Sequence, residues 1–137
     1  MNGNVFVNGT VTTASDENLK TNIQTIDGQN AIDIIQNLNP VSFEYDNAIN
    51  TRMQLPSGMQ YGFVAQEVEQ VLPELVHTTT LPAERDSLGN ETSPEFEFLS
   101  LESQDIIPLL LAGMKEQSVI IDSVSSSNDS LLHVVDS

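Results

Sequence analysis

Ser15 and Lys20 are the residues of this sequence whose types most directly suggest chemistry. A serine hydroxyl becomes a useful nucleophile when a base takes its proton, and a lysine serves as that base only in its neutral form. A lysine pKa of about 10.4 must then fall by several units, through burial or a neighbouring positive charge. Spacing sets a second condition. Residues five positions apart lie roughly 17 Å apart on opposite faces of a strand and diverge by about 140° around a helix. A sharp turn would bring them together, or a lysine would come from a neighbouring subunit; in both cases assembly would complete the site. Asp16 and Glu17 must point away from the lysine, because a nearby carboxylate favours its charged form. On residue types alone the simpler reading is structural: Ser15 caps a short helical turn, Asp16 and Glu17 suit its first turn, and Lys20 is a solvated charge.

Composition removes several other chemistries. Lys20, Arg52, Arg85 and Lys115 are the only basic side chains against 20 acidic ones, a net charge of −16. No patch exists to neutralise a phosphate backbone, so nucleic acid is not an expected partner. There is no cysteine, and His77 and His133 lack metal-ligand spacing, so neither a metal nor a cofactor is expected. Asp46, Glu67, Glu69 and Glu74 resemble paired carboxylates for glycoside hydrolysis, but the chain has no tryptophan and no aromatic platform. The sequons at Asn8, Asn90 and Asn128 arise readily by chance. The N-terminus has no basic segment followed by an apolar one, as a signal peptide would. The longest apolar run, Ile106 to Gly113, is too short and is interrupted by Pro108, so no membrane span is expected and the protein reads as soluble.

The elements that must position these residues are read from periodicity. Hydrophobic content of 39% with 5% aromatics predicts a folded chain with a thin core, which borrows stability from oligomerisation. Residues 1–14, with Val5, Val7 and Val11 around the turn signal Asn8-Gly9, read as the end of a longer β structure. Asp27 to Leu38 reads as an amphipathic helix capped by Asp27 and ended at Asn39-Pro40. Val41 to Tyr45 alternates as a strand, and Tyr61 to Val64 is a second strand. A short helix follows from Ala65 to Leu72, with Val64, Val68, Val71 and Leu72 facing the core, and Pro73 stops it. Leu75 and Val76 begin another extended piece. Residues 78–94 read as a long loop, and Glu95 to Leu99 as a strand paired with 61–64 or 75–79. Ile107, Leu110, Met114, Gln117, Ile121, Val124, Asn128, Leu131 and Val135 recur at three- and four-residue spacings, which predicts a coiled-coil seam with Asn128 as a register-setting polar layer. The plainer alternative is an amphipathic helix packed on its own domain. Serines from Ser123 to Ser130 weaken helix propensity, so the distal half is expected to form only when paired.

The run Ser15-Asp16-Glu17-Asn18-Leu19-Lys20-Thr21-Asn22-Ile23, with Tyr61-Gly62-Phe63-Val64-Ala65-Gln66-Glu67-Val68 and Val71-Leu72-Pro73-Glu74-Leu75-Val76, resembles the peptidase S74 family over about residues 15 to 117. Three separate blocks occur in the family's order. The resemblance implies an endosialidase-type intramolecular chaperone domain, found at the C-terminus of phage tail spikes and tail fibres, which assists trimerisation of the protein upstream and then cuts itself off. Ser15 and Lys20 match the family's nucleophile and essential lysine. The implied enzyme is a self-cleaving, single-turnover serine peptidase whose scissile bond adjoins Ser15, at Ser15–Asp16. Asn22, Gln66 and Glu67 are supporting candidates beside the cleavage site. The plain reading of the Gln66-Glu67 block is a strand-to-helix corner in which Gly62 allows close packing and Phe63 fills the core. The chain departs from the family at Asn18, where many members carry a basic residue that would help to depress the lysine pKa.

The expected protein is thus α+β: a small, mainly antiparallel sheet, short helices and a long C-terminal helix forming a trimeric coiled coil. Residues 1–14 are the end of an upstream β fibre, 15–105 the chaperone body and 106–137 the coiled-coil helix. The implied partners are two further copies and the upstream fibre or spike of the same polypeptide. The implied location is the host cytoplasm during phage assembly, as a virion tail-fibre precursor released after cleavage. Two rivals differ in class: a trimerisation cap that does not cleave, and a receptor-binding fibre tip that uses the 78–94 loop.

Overall fold

A computed structural model describes residues 7–49 and 51–136, with the side chains of 134–136 outside the description. The expected β-like placement of Val5 and the seam position of Val135 therefore lie outside the described residues. The chain divides into two compact units, Met1–Thr25 with Pro40–Gly62, and Ile26–Asn39 with Phe63–Ser137.

In the first unit, Val41–Phe43 (β1) pairs antiparallel with Gln60–Gly62 (β2), in the register Val41 to Gly62 and Phe43 to Gln60. The expected strand continues to Tyr45, but pairing ends at Phe43, and the Tyr45 ring packs edge-on against the Phe43 ring at 5.0 Å. Between the strands, the Asn47 amide works as a small bridge. Its Nδ2 donates to the Leu55 carbonyl and its Oδ1 accepts from the Leu55 N–H, each at 3.2 Å.

The second unit starts where Asp27 accepts a hydrogen bond from the Asn30 N–H at 3.3 Å, satisfying a donor that a helix start leaves free. That cap opens Gly28–Gln36 (α1), as the sequence predicts. Ala65–Glu69 (α2) is shorter than expected, and Val64 caps it. Val64 is exposed, contrary to the predicted core face, because the cap residue stands outside the first helical turn. After a 3-10 turn at Pro73–Leu75, Val76–Leu81 (β3) pairs antiparallel with Phe96–Leu101 (β6).

The predicted loop at 78–94 is largely ordered as β structure: β3 runs on to Leu81, and Glu84–Arg85 (β4) pairs with Glu91–Ser93 (β5). The cause is a side chain. Asp86 accepts the N–H groups of Leu88 and Asn90, both at 2.9 Å, and so closes the turn between them. These bonds, that from the Asn90 N–H first, hold the Asp86 carboxyl below its ordinary pKa. The antiparallel strands thus form three separate two-stranded sheets.

The core of this unit is small, as composition predicts: Val68, Leu72, Leu75 and Ile106 cluster, with Phe63, Ile34 and Leu109 partly buried against them. Ile106, 2% exposed, opens Ile106–Asp136 (α3), a 31-residue helix about 46 Å long. Pro108 lies in its first turn, where the missing N–H costs no helical bond. The serine-rich stretch from Ser123 to Ser130 is helical throughout.

One face of α3 packs inward on its own unit. Ile106 and Gly113 are buried, Leu109 and Glu116 half-buried. A Cβ at Gly113 would lie 2.6 Å from Ile35 Cδ1, and one at Gly28 would lie 2.6 Å from Glu116 Cβ, so both glycines permit a close approach of α1 and α3. The predicted seam lies on another face: Ile107, Leu110, Met114, Ile121, Val124 and Leu131 are exposed, and so is every residue from Gln117 to His133.

Candidate active site

Ser15 and Lys20 meet through a turn that local side-chain chemistry builds. Asp16 caps the 3-10 turn Glu17–Leu19, and its carboxylate accepts the Asn18 N–H at 2.9 Å and the Asn18 side-chain amide at 3.1 Å. Backbone bonds from Leu19 N–H to the Asp16 carbonyl (3.0 Å) and from Lys20 N–H to the Glu17 carbonyl (3.1 Å) complete it. Asp16 and Lys20, which flank the turn, are both extended. The Lys20 Nζ then donates to the Ser15 Oγ at 2.8 Å. This is the sharp turn within one chain that the spacing argument offered as one of two ways to join the pair. The base role of a lysine uses the same two atoms in the opposite sense, with Oγ–H donating to a neutral amine.

The surroundings of the pair are open. Every residue from Val7 to Asp27 is exposed, including Leu19 at 72% and Ile23 at 64%. Water reaches both atoms freely, whereas nucleophilic catalysis by a lysine base gains from a dry site. Asn22, two residues beyond the lysine, has a φ of 53°, a left-handed conformation that asparagine adopts more readily than most residues. It turns the chain away after Lys20.

Gln66 and Glu67 stand on α2, in the second unit. There Glu67 accepts from the Asn39 side-chain amide at 3.4 Å, at the edge of an open groove lined by Asn37, Asn39, Glu67, Gln70 and Val71. At the base of the β3–β6 ladder, His77 Nε2 lies 2.9 Å from a Glu102 carboxylate oxygen, and the Ser100 hydroxyl shares a hydrogen bond with Thr79. Sequence reading missed both arrangements, since cross-strand partners depend on register. It also missed the bond from Asn18 to Asp16, although an Asp followed two residues later by an Asn is a readable turn signal.

Among the described residues no group of three His, Cys, Asp or Glu side chains could hold a metal ion. No described helix is long and apolar enough to cross a membrane.

Comparison with known proteins gives these elements a context. The family model Peptidase_S74, chaperone of endosialidase, matches residues 15–77. That span begins at Ser15 and contains all three sequence blocks that carry the resemblance. An uncharacterized protein, VP1 of Micromonas pusilla reovirus (isolate Netherlands/2005), is 44% identical over 62 residues, which is 45% of this chain and 3% of that protein. The match thus spans a small fraction of that relative's length. A crystal structure described as a novel intramolecular chaperone superposes with a TM-score of 0.52 at 20% identity, over 75% of this chain and 97% of that one, and so shares the fold. The carboxy-terminal domain of the bacteriophage T5 L-shaped tail fibre, with its intramolecular chaperone domain, gives a TM-score of 0.48 at 16% identity, over 88% of this chain and 33% of that one.

Proposed function

We propose that this chain, whose residues 15–77 match the family model Peptidase_S74, chaperone of endosialidase, is an intramolecular chaperone of a phage tail fibre or spike. It holds three copies in register while the upstream β fibre folds, and then releases itself by cleavage next to Ser15. The observation that carries the reading is the 2.8 Å contact of Lys20 Nζ with Ser15 Oγ at the first residue of the matched region. Residues 1–14 then belong to the end of the fibre, 15–105 to the chaperone body and 106–137 to the stem that trimerises. The protein acts in the host cytoplasm during assembly, as part of a fibre precursor.

The homotrimer draws support from α3. Its inward face is used by the chain itself, while Ile107, Leu110, Met114, Ile121, Val124 and Leu131 remain uncovered. A helix with that much exposed apolar surface calls for a partner. Three parallel copies would bury the stripe, with Gln117 and Asn128 as polar layers that fix register. An interwound β fibre folds slowly because its contacts are distant in sequence, and a helical trimer formed first raises the effective concentration of the three chains. Assembly would then have to cover the open Ser15–Lys20 pair until the ester has formed.

In the cleavage step, Oγ attacks a backbone carbonyl carbon while its proton passes to neutral Nζ. Nζ then gives that proton to the departing amide nitrogen as the C–N bond breaks, and water hydrolyses the resulting ester. Ring size separates the two bonds adjoining Ser15. Attack on the Ala14 carbonyl within one chain closes a five-membered ring. Attack on Ser15's own carbonyl, at Ser15–Asp16, closes a strained four-membered ring, so cleavage of that bond calls for a hydroxyl from a neighbouring copy. A released fragment beginning with Asp16 therefore reports attack between chains, whereas one beginning with Ser15 is compatible with attack within a chain.

The test is to express the chain behind its upstream segment, intact or with Ile121→Asp and Val124→Asp together. The intact stem yields trimeric upstream protein. The double variant yields monomeric or aggregated upstream protein although residues 26–105 stay folded. Equal yields of trimer would remove the chaperone role.

A further inference from the structure

We propose that Asn18 is a positioning residue for the Ser15–Lys20 pair, acting through Asp16; the catalytic consequence rests on the proposed self-cleavage. Lys20 lies in an exposed turn whose other charged side chains are Asp16 and Glu17. Asp16 is the carboxylate nearest in sequence to the nucleophile. Left free, it would compete for the Lys20 ammonium, stabilise that charged form and deprive Ser15 of its base. It is not free. One oxygen, Oδ1, accepts both the backbone N–H of Asn18 at 2.9 Å and the Asn18 Nδ2 at 3.1 Å.

The backbone donor is present whatever residue follows Glu17, provided it is not proline. The side-chain amide is what asparagine adds. Its effects are two: it holds Asp16 in the cap geometry that closes the turn and brings Nζ to Oγ, and it turns the carboxylate toward the turn's own donors. Asn18 thus orients the Asp16 carboxylate with a neutral donor. The absence of a basic residue here leaves the carboxylate engaged.

The test compares the wild-type chain with Asn18→Ala, Asn18→Asp and Asn18→Arg. Lys20 and Lys115 are the only lysines, so lysine labelled at the ε-carbon gives two NMR signals, and the Lys20 titration can be followed without any cleavage. Asn18→Ala and Asn18→Asp should move the Lys20 titration to higher pH than in wild type, Asn18→Asp further because it adds a second carboxylate. Asn18→Arg, which restores a donor, should return it. In the chain fused to its upstream segment, the pH–rate profile of self-cleavage should move in the same order, with Asn18→Ala about tenfold slower near neutral pH for each unit of displacement. Superimposable Lys20 titrations in wild type and Asn18→Ala would overturn the proposal even if cleavage occurs, whatever Asn18→Asp does through its own added charge. Displaced titrations in chains that never cleave would keep Asn18 as the residue that positions Asp16 and would reject self-release.

Discussion

Gly113→Val tests the assignment of α3 to two separate faces, because it places bulk where the helix meets its own unit and leaves the seam untouched. Two effects oppose each other. Glycine in a helix interior is about 1 kcal/mol less favourable than alanine, and valine lies between them, so the helix itself gains roughly 0.3–0.5 kcal/mol. Against this, the new Cβ falls 2.6 Å from Ile35 Cδ1 and 3.9 Å from Ile32 Cγ1, and the two γ-methyls lie beyond it. Overpacking of this kind costs about 1–3 kcal/mol. Packing wins, and the net loss is about 1–2 kcal/mol. Gly113→Ala, whose methyl meets only the movable end of Ile35, should fall near zero. Urea unfolding followed by far-UV circular dichroism measures the difference. A concentration series is needed, because self-association adds to apparent stability. Ser118→Ala, on an exposed position of the same helix, is the control and should gain a few tenths of a kcal/mol. A Gly113→Val chain as stable as the wild type at every concentration would refute the packing of α3 on α1.

Ile121→Asp puts a carboxylate into the exposed seam; multi-angle light scattering at micromolar concentration should show a trimer for the wild type and a monomer for the variant, with the helical spectrum of residues 26–105 retained. At Asp86, the folded-state pKa is lowered, so its contribution to the β4–β5 turn is present above the unfolded carboxylate value and lost as pH falls through the lower, folded one. Amide-exchange protection at Leu88 and Asn90 should accordingly persist down through the ordinary Asp value of about 3.9, disappear only below it, and be absent throughout in Asp86→Ala. Asn22 carries a positive φ, so Asn22→Gly should leave backbone chemical shifts from Leu19 to Ile23 nearly unchanged. Asn22→Val should displace them, because a β-branched residue held left-handed costs about 1–2 kcal/mol.

Much of this architecture could be read from the chain because local rules and tertiary packing agree. Asp27 opens α1 where a cap residue precedes an apolar face, and Pro73 opens the 3-10 turn that follows α2. Val41 and Phe43 alternate with Ser42 on a strand that pairs as alternation requires. The β4–β5 hairpin was hidden because Thr, Pro, Ser and Gly signal a loop on average, while one carboxylate, Asp86, decides the outcome through specific N–H partners. On α3 a single heptad pattern overlaps a second stripe, Ile106, Leu109, Gly113 and Glu116. Periodicity alone reports the longer of the two, and the inward face emerges only with α1 in place. Ser15 and Lys20 were legible as residue types. Their meeting depends on the 3-10 turn held by Asp16 and Asn18, whose strength lies in two hydrogen bonds to one oxygen.

The most direct measurement is the intact mass of the chain expressed behind its natural upstream segment, for the wild type, Ser15→Ala and Lys20→Ala. Self-release by this pair predicts a fragment beginning at Ser15 or Asp16 in the wild type and full-length, trimeric chains in both variants. Full-length chains in all three, still trimeric, would contradict cleavage and leave a permanent trimerisation cap.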